Sequence, residues 1–175
     1  MNCRNAAAAL VTALTCLVLI TGAQARTPDR EQPIDLESNR AEIDNVRGIS
    51  TYTGDVVLTQ GSMVITGDRM VVHTREADDR RVLDRIEVDG SPATYEQLPE
   101  DQTDKVHAEA PRMEYYSRGP QRIYLLQGAE LWQRENRMSG EEIRVNLETQ
   151  EAQAEGREDR RTRTIFFPAE ETDDP

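Results

Sequence analysis

Apolar and polar residues alternate with a period of two along most of the chain beyond residue 33. The intervening positions are mainly Thr, Asp, Glu, Arg, Gln and Ser. This alternation is typical of β-strands with one buried face and one solvated face. No segment after residue 25 sustains the spacing of an amphipathic helix over three turns, so we predict an all-β protein. The paired apolar positions are Val56 and Leu58, Met63 and Ile65, Met70 and Val72, Ile86 and Val88, Ala93 and Tyr95, Val106 and Ala108, and Tyr124 and Leu126.

Glycine and proline residues separate these runs at short intervals, which predicts short and closely spaced strands. Such strands are typical of a sandwich, a barrel or a stacked β-fold, and they argue against a doubly wound fold. We expect one domain over residues 33–168, a flexible segment over 26–32 and a disordered acidic tail over 169–175. The breaks fall at Gly48, Gly54, Gly61, Gly67, Gly90-Ser91-Pro92, Pro111, Gly119-Pro120, Gly128, Gly140 and Gly156.

The chain contains an internal repeat of a strand, a corner and a second strand. Both copies read Gln-x4-apolar-x-Gly-acid-x-apolar-x-Val, and they lie 73 residues apart. A glycine at the corner lets the chain bend without strain from a Cβ atom. Gly54 has its counterpart 74 residues on, at Gly128, so the second copy is one residue shorter and leaves the face of Leu131 and Trp132 open. The matched pairs are Gln60 and Gln133, Ile65 and Met138, Gly67 and Gly140, Asp68 and Glu141, Met70 and Ile143, and Val72 and Val145.

Residues 1–25 have the features of a secretory signal peptide. Arg4 precedes an apolar run from Ala6 to Ile20, and Ala23-Gln24-Ala25 has the small-x-small pattern of a cleavage site. We therefore expect cleavage after Ala25. Cleavage would also remove Cys3 and Cys16, so the mature chain would carry no disulfide and no cysteine metal site. A signal peptide of bacterial type before a chain without disulfides indicates the periplasm.

The mature chain is strongly acidic. Without Arg4, 20 basic residues face 33 acidic residues, which gives a net charge of −13. Nucleic-acid binding depends on basic side chains that displace counterions from phosphates, so this balance argues against a nucleic-acid partner. It also argues against electrostatic docking on an anionic membrane.

Residue patterns that support catalysis or metal binding are missing from the sequence. The two histidines, His73 and His107, lie on the polar parity of their strands and have no metal-ligand spacing. The chain has neither a Gly-x-Ser-x-Gly elbow nor a Gly-Lys-Ser/Thr phosphate loop. Carboxylate pairs such as Asp55 with Asp68 arise by chance among so many acids. We predict a protein that is not an enzyme, with no catalytic residue, metal or cofactor.

A series of motifs occurs in a fixed order between Gln32 and Pro168. They are Gln32-Pro33-Ile34-Asp35-Leu36-Glu37-Ser38, Tyr52-Thr53-Gly54-Asp55-Val56, Gln60-Gly61, Ile65-Thr66-Gly67-Asp68-Arg69-Met70-Val71-Val72, Gly90-Ser91-Pro92-Ala93-Thr94-Tyr95, Met138-Ser139-Gly140-Glu141-Glu142-Ile143 and Thr164-Ile165-Phe166-Phe167-Pro168. In order and spacing, they resemble the OstA-like family of periplasmic lipopolysaccharide-transport proteins. The resemblance covers nearly all of the expected mature chain.

The resemblance implies an open, twisted, V-shaped antiparallel β-jellyroll with an apolar interior groove. In this family the groove holds the acyl chains of lipid A, and molecules stack head to tail into a bridge across the periplasm. The N-terminal edge of that bridge meets the inner-membrane protein LptC, and the C-terminal edge meets the outer-membrane protein LptD. The lack of a nucleotide site implies that the energy for transport comes from an ATPase elsewhere.

Alternation and resemblance together predict the residues of the groove and of the docking edges. The edges are expected at Ile34, Leu36, Ile165 and Phe167. The alternative function is a non-catalytic periplasmic β scaffold or a sugar-binding module, which would display exposed aromatic residues rather than an apolar interior. The predicted groove residues are Ile34, Leu36, Tyr52, Val56, Leu58, Met63, Ile65, Met70, Val72, Tyr95, Met113, Tyr115, Tyr124, Leu126 and Ile143.

Overall fold

A computed structural model describes residues 27–100 and 102–168, and within them it confirms the predicted all-β fold. The predicted signal peptide and acidic tail lie outside the described residues. A short 3-10 helix, Asp29–Glu31, precedes ten strands. The strands are β1 (Ile34–Glu37), β2 (Arg40–Asp44), β3 (Ile49–Gln60), β4 (Met63–Ala77), β5 (Arg80–Gln97), β6 (Val106–Tyr116), β7 (Arg122–Gln133), β8 (Asn136–Asn146), β9 (Glu151–Glu155) and β10 (Arg163–Ile165).

All strands belong to one antiparallel sheet, in which β3 to β8 pair in sequence order. β1 pairs with the C-terminal part of β3, and β2 pairs with its N-terminal part. At the other end, β9 and β10 both pair with β8. β1 and β2 therefore act as one interrupted strand, and β9 and β10 act as another. The sheet consequently has the width of eight long strands.

A line of register breaks crosses the sheet and divides it into two half-sheets. The breaks follow Thr53 in β3, Thr66 in β4, Asp89 in β5, Glu109 in β6 and Leu126 in β7. Bulges at one level of consecutive strands bend a sheet along that level. The first half-sheet comprises β1, residues 56–60, 63–67, 93–97, 106–110, 129–133 and 136–140, and β10; the second comprises β2, residues 49–53, 69–77, 80–89, 112–116, 122–126 and 142–146, and β9.

The two half-sheets face each other across one apolar core. Leu58 and Tyr95 of the first half-sheet belong to the same buried cluster as Met70, Ile86 and Tyr115 of the second. These side chains are at most 3% exposed, which one flat sheet without a covering layer could not achieve. The sheet has therefore folded onto itself along the line of bulges, as the V-shaped jellyroll requires.

Close packing at the bend explains one of the repeated glycines. A Cβ atom on Gly67 would lie 2.5 Å from Val88 Cγ1 and 2.8 Å from the carbonyl oxygen of Asp89. Neither distance is compatible with a side chain unless β4 and β5 separate. The glycine corner predicted from the repeat is therefore present, and its physical cause is the close approach of two backbones.

The structure also corrects the interpretation of the repeat. Gly54 and Asp55 both adopt left-handed backbone angles, and Gln127 and Gly128 do the same at the equivalent corner. The register breaks follow Thr53 and Leu126, which lie 73 residues apart. The second copy has therefore lost no residue. The glycine has changed places within a two-residue corner, so the spacing of 73 holds throughout the repeat.

Residues 28–32 differ from the prediction of a flexible segment. The 3-10 turn is closed by hydrogen bonds from Glu31 N to Pro28 O (3.0 Å) and from Gln32 N to Asp29 O (2.9 Å). Asp29 is only 8% exposed. The sequence predicts flexibility because a polar segment before the first alternating run resembles a free terminus, whereas here its polar groups meet partners distant in sequence.

On the outer face of the second half-sheet, Arg112 links three carboxylates. Its guanidinium donates to Glu87 at 2.9 Å, to Asp89 at 3.0 Å and to Glu114 at 3.1 Å. Arg85 Nη2 lies 2.8 Å from Glu87 Oε1. Burial by itself raises the pKa of Glu87, but the hydrogen bond from Arg112 and the charge of Arg85 help to lower it overall. The ionised carboxylate of Glu87 thus stabilises the folded state.

Replacing Glu87 with glutamine should make the protein less sensitive to acid. Because its pKa is lower in the folded state, the carboxylate stabilises the fold above its ordinary pKa of 4.5 and loses that effect as the pH falls through the folded value. Between about pH 5 and 3, we expect the parent to lose about 1 kcal/mol more stability than Glu87→Gln in urea unfolding. Glu37→Gln, at an exposed position on β1, controls for the loss of one charge. Equal acid sensitivity of parent and Glu87→Gln would contradict this role.

Candidate functional site

The inner faces of the two half-sheets form a continuous apolar surface from β1 to β10. Most residues predicted for the groove have inward register, although their contact with lipid stays a prediction. Leu36 lies opposite Leu58, and Val72 lies opposite Ile86. Ile34, opposite the buried Gln60, is 42% exposed at the rim. The inward residues of the predicted set are Ile34, Leu36, Tyr52, Val56, Leu58, Met63, Ile65, Met70, Val72, Tyr95, Met113, Tyr115 and Ile143.

Two predicted groove residues, Tyr124 and Leu126, lie on the outer face instead. Tyr124 pairs with Glu114, and Leu126 pairs with Arg112. The inward positions of β7 are Ile123 and Leu125, which are 1% and 0% exposed. The prediction was wrong because residues 123–126 are all apolar, so local alternation gives no preference for either face.

The structure also settles the positions that the repeat left open. Leu131 lies between Ala108 and Met138 and packs against the core, so it faces inward. Trp132 pairs with His107 on the outer face, and the two rings stack with centroids 5.5 Å apart. The spacing of 73 residues equates Leu131 with the buried Leu58, and this signal could have assigned the face from the sequence.

The predicted groove residues omit several alanines of the inner face and its residues near the C-terminal end of the sheet. Ala110 and Ala129 are buried, each at 2% exposure. Leu147 and the β9 residues Ala152 and Ala154 pack against the core from the second half-sheet. Alanine contributes little to an apolar pattern, and residues 147–155 are mostly polar, so only the strand pairing identifies them.

The interior is packed at one end and open at the other. Near β3 to β5, Leu58, Ile65 and Met70 are at most 1% exposed, which leaves no space for a ligand. Toward β10 the half-sheets separate around a cavity of about 620 Å³. Its wall includes Leu131 and Met138 from the first half-sheet and Val145 and Ala152 from the second. The cavity falls within the roughly 300–1,000 Å³ typical of small-ligand pockets.

Two buried tyrosines, Tyr95 and Tyr115, bring hydroxyl groups to the interior. Burial is the main cause that raises the pKa of Tyr115 to about 12 and also raises the pKa of Tyr95. Both phenols are therefore neutral at neutral pH, and Tyr95 donates its hydroxyl proton to Gln97 Oε1. The two buried phenols thus add no charge to the interior between the half-sheets.

The two ends of the sheet carry unpaired strand edges with exposed apolar side chains. In residues 27–100 and 102–168, the outer edges of β1 and β2 at one end and of β9 and β10 at the other pair with no further strand. Exposed edges of this kind are ready to pair with another chain. Among the predicted edge residues, Leu36 and Ile165 are half-buried and Ile34 and Phe167 are exposed. The exposed large hydrophobic residues at or beside these edges are Ile34, Ile43, Val46, Phe166 and Phe167.

Other features of the described residues add no second site. Across 27–100 and 102–168, no group of three or more His, Cys, Asp or Glu side chains could hold a metal ion. The same ranges contain no helix that is long and apolar enough to cross a membrane.

Comparison with known proteins identifies the family. The family model described as LptA/(LptD N-terminal domain) LPS transport protein matches residues 35–151, and the chain belongs to this family.

Curated relatives and a solved structure agree with this assignment. The chain is 33% identical to lipopolysaccharide export system protein LptH of Pseudomonas aeruginosa over 81% of this chain and 78% of that protein. It is 31% identical to LptA of Escherichia coli K12 over 92% of this chain and 85% of that protein. The crystal structure of P. aeruginosa LptH, described as the LptA homologous periplasmic component of the lipopolysaccharide transport device, superposes with a TM-score of 0.72. That superposition covers 80% of this chain and 99% of LptH at 29% identity.

Proposed function

We propose that this protein carries lipopolysaccharide through the periplasm, with the acyl chains of lipid A held between the half-sheets. The observation that carries the proposal is the continuous apolar inner surface, which widens into a cavity of about 620 Å³ near β7 to β10. Membership of a family described by lipopolysaccharide transport supports the same function. The protein binds and passes on its cargo without changing it chemically.

The energetic reason for such a groove is the cost of exposing acyl chains to water. Each buried methylene is worth about 0.8 kcal/mol, so a lipid with several acyl chains needs an apolar surface along its whole path. The cavity is small for such a lipid, and we expect the half-sheets to separate further when it binds. The formal net charge of −12 disfavours a buried site for the anionic phosphates, so the head group stays in solvent at the rim.

Strand directions support head-to-tail assembly into a bridge. The sheet has the width of eight strands, an even number, so its two edge strands run in opposite directions. A second copy placed edge to edge in the same orientation would set its β1 beside β10, and its β2 beside β9. The junction would then be antiparallel, like every other pairing in the sheet. Each half-sheet would continue into its counterpart, and the apolar surfaces would join into one groove.

The same edges suit partners at the two membranes. We infer that β1 and β2 dock with the inner-membrane protein LptC and that β9 and β10 dock with the outer-membrane protein LptD. Strand addition at an open sheet edge is an established mode of recognition, and it requires a partner with a matching edge. The family description, which joins LptA with the N-terminal domain of LptD, supports a partner of similar fold at one end.

A binding measurement separates lipid transport from the alternative of a sugar-binding module. Fluorescent lipopolysaccharide is titrated into the protein and then displaced with unlabelled lipid A or with deacylated lipopolysaccharide. We expect lipid A to compete about as well as the intact molecule, because binding depends on the acyl chains. We expect the deacylated saccharide to compete at least about 100-fold less well, since it lacks the buried methylenes. Equal competition by the deacylated saccharide would contradict the proposal and favour the sugar-binding module.

A further inference from the structure

The N-terminal segment 28–32 is held against the first half-sheet by a set of hydrogen bonds. The Asp29 carboxylate accepts hydrogen bonds from Ser62 N (2.8 Å), Ser62 Oγ (2.6 Å) and Gln97 Nε2 (2.8 Å). Gln60 Nε2 donates to the carbonyl oxygens of Arg30 (3.3 Å) and Gln32 (3.1 Å). The segment is therefore tied to the turn between β3 and β4 and to the end of β5.

Only glycine fits at position 61, because a side chain there would collide with the bound Asp29 carboxylate. A Cβ atom at this position would lie 2.3 Å from Asp29 Oδ1, and the backbone φ angle is +60°. The β3–β4 turn is thus shaped around the Asp29 carboxylate. The equivalent glutamine of the repeat, Gln133, similarly donates to the carbonyl oxygen of Asp104, at 2.9 Å. Holding a preceding segment is thus a shared property of both copies.

The position of Asp29 relates the segment to the groove. Asp29 and Arg30 form part of the cavity wall together with Tyr95 and Gln97. The negative charge of Asp29 contributes, after burial, to the raised pKa of Tyr115 on the second half-sheet. Asp29 thus bonds to the first half-sheet, and it lines the same cavity as Val145 and Ala152 of the second. Residues 28–32 therefore lie at the boundary between the open cavity and the packed interior.

We propose that residues 28–32 form a latch that keeps the interior closed near β4 and β5, and that the latch must be released for lipid to occupy the full groove. This inference rests on the proposed transport function. In the closed state the cavity is available for acyl chains, and the packed interior is not. Release of Asp29 frees Ser62 and Gln97 at the rim and allows the half-sheets to separate toward β3. The latch thereby controls whether the groove is continuous from one sheet edge to the other.

Thiol labelling tests the latch directly. With Cys3 and Cys16 replaced by serine, single cysteines are placed at Ala108, which neighbours Tyr95 on the inner face, and at Ala152 in the cavity wall. N-ethylmaleimide then reports access to each site. We expect Asp29→Ala to raise the labelling rate at position 108 by about tenfold or more, because three hydrogen bonds to a carboxylate are lost. The rate at position 152, which already lines open space, should change less than about twofold.

Two controls separate latch opening from general unfolding. Glu31→Ala alters an exposed side chain of the same segment and should leave the rate at position 108 unchanged. A cysteine at Ala129, which is 2% exposed on β7, should label faster only if the whole fold is destabilised. Equal acceleration at positions 108 and 129, or no acceleration at 108, would overturn the latch.

Added lipopolysaccharide distinguishes failure of the latch from failure of the transport proposal. In the parent we expect lipid to protect position 152 from labelling, and in Asp29→Ala we expect it to protect position 108 as well. Protection at 152 in both proteins, with no gain at 108 in the variant, would remove the latch and leave lipid binding intact. No protection at 152 in the parent would contradict the transport function itself.

Discussion

Replacing Leu131 with aspartate is expected to weaken lipopolysaccharide binding by about 100-fold or more. Leu131 lies on the inner face of β7 and lines the cavity. A carboxylate there would meet acyl chains and have no ionic partner among the neighbouring inward residues Ala108 and Met138. Burying such a charge costs at least about 3 kcal/mol, which corresponds to about a hundredfold in affinity. Titration with fluorescent lipopolysaccharide measures the effect.

The same strand offers a matched control. Leu126 lies on the outer face of β7, so Leu126→Asp introduces the same change without touching the groove. Its affinity should stay within about threefold of the parent, which corresponds to less than 1 kcal/mol. Ala152→Asp places the same charge on the opposite wall of the cavity, and it should also weaken lipopolysaccharide binding. Circular dichroism and thermal unfolding identify variants that have lost the fold. Folded Leu131→Asp and Leu126→Asp proteins with equal affinity would contradict an interior lipid site.

Replacing both Phe166 and Phe167 with aspartate is expected to weaken end-to-end association by about tenfold or more. These side chains are 70% and 54% exposed beside the unpaired edge of β10. Exposed aromatic residues often provide most of the binding energy of an interface, and each can contribute 1 kcal/mol or more, as an order of magnitude. Sedimentation velocity over a range of protein concentrations measures the change.

Charge repulsion alone must be separated from the loss of the aromatic contact. The double substitution adds two negative charges to a chain whose formal charge is already −12. Arg118→Asp, in the exposed turn between β6 and β7, changes the net charge by the same amount. It should leave the association unchanged, because this turn lies away from both sheet edges. If Arg118→Asp weakens association as much as the double variant, the β10 edge is not the docking surface.

Much of the fold could be predicted from the sequence because the pattern has a simple physical cause. A sheet with one buried face requires apolar residues at alternate positions, and Val56 to Val72 follow that rule closely. The glycine corners could also be predicted, from the repeat. The structure supplies the reason at Gly67, where two backbones approach too closely for a side chain. Where consecutive residues of a strand are all apolar, the pattern does not indicate which of them face inward. Tyr124 and Leu126 were assigned inward for that reason, whereas Ile123 and Leu125 are buried.

The repeat contained the information needed to avoid this error. Matching Gly54 to Gly128 suggested a lost residue, but the corner is a pair of left-handed residues, and the glycine occupies the first position in one copy and the second in the other. Matching corner to corner equates Tyr52 with Leu125 and places Leu125 inward. The buried Asp29 could not be foreseen, because its partners lie 33 and 68 residues away in the sequence.

Photo-crosslinking in cells tests most directly whether the interior carries lipid. A photoreactive amino acid is placed at Leu131 or Met138 inside the groove, or at Tyr124 or Leu126 on the outer face, in the full chain. Lipopolysaccharide adducts are detected after irradiation by immunoblotting for both protein and lipid. Interior lipid transport predicts adducts at 131 and 138 and none above background at 124 and 126. Adducts at the two outer positions, or at none of the four, would contradict it.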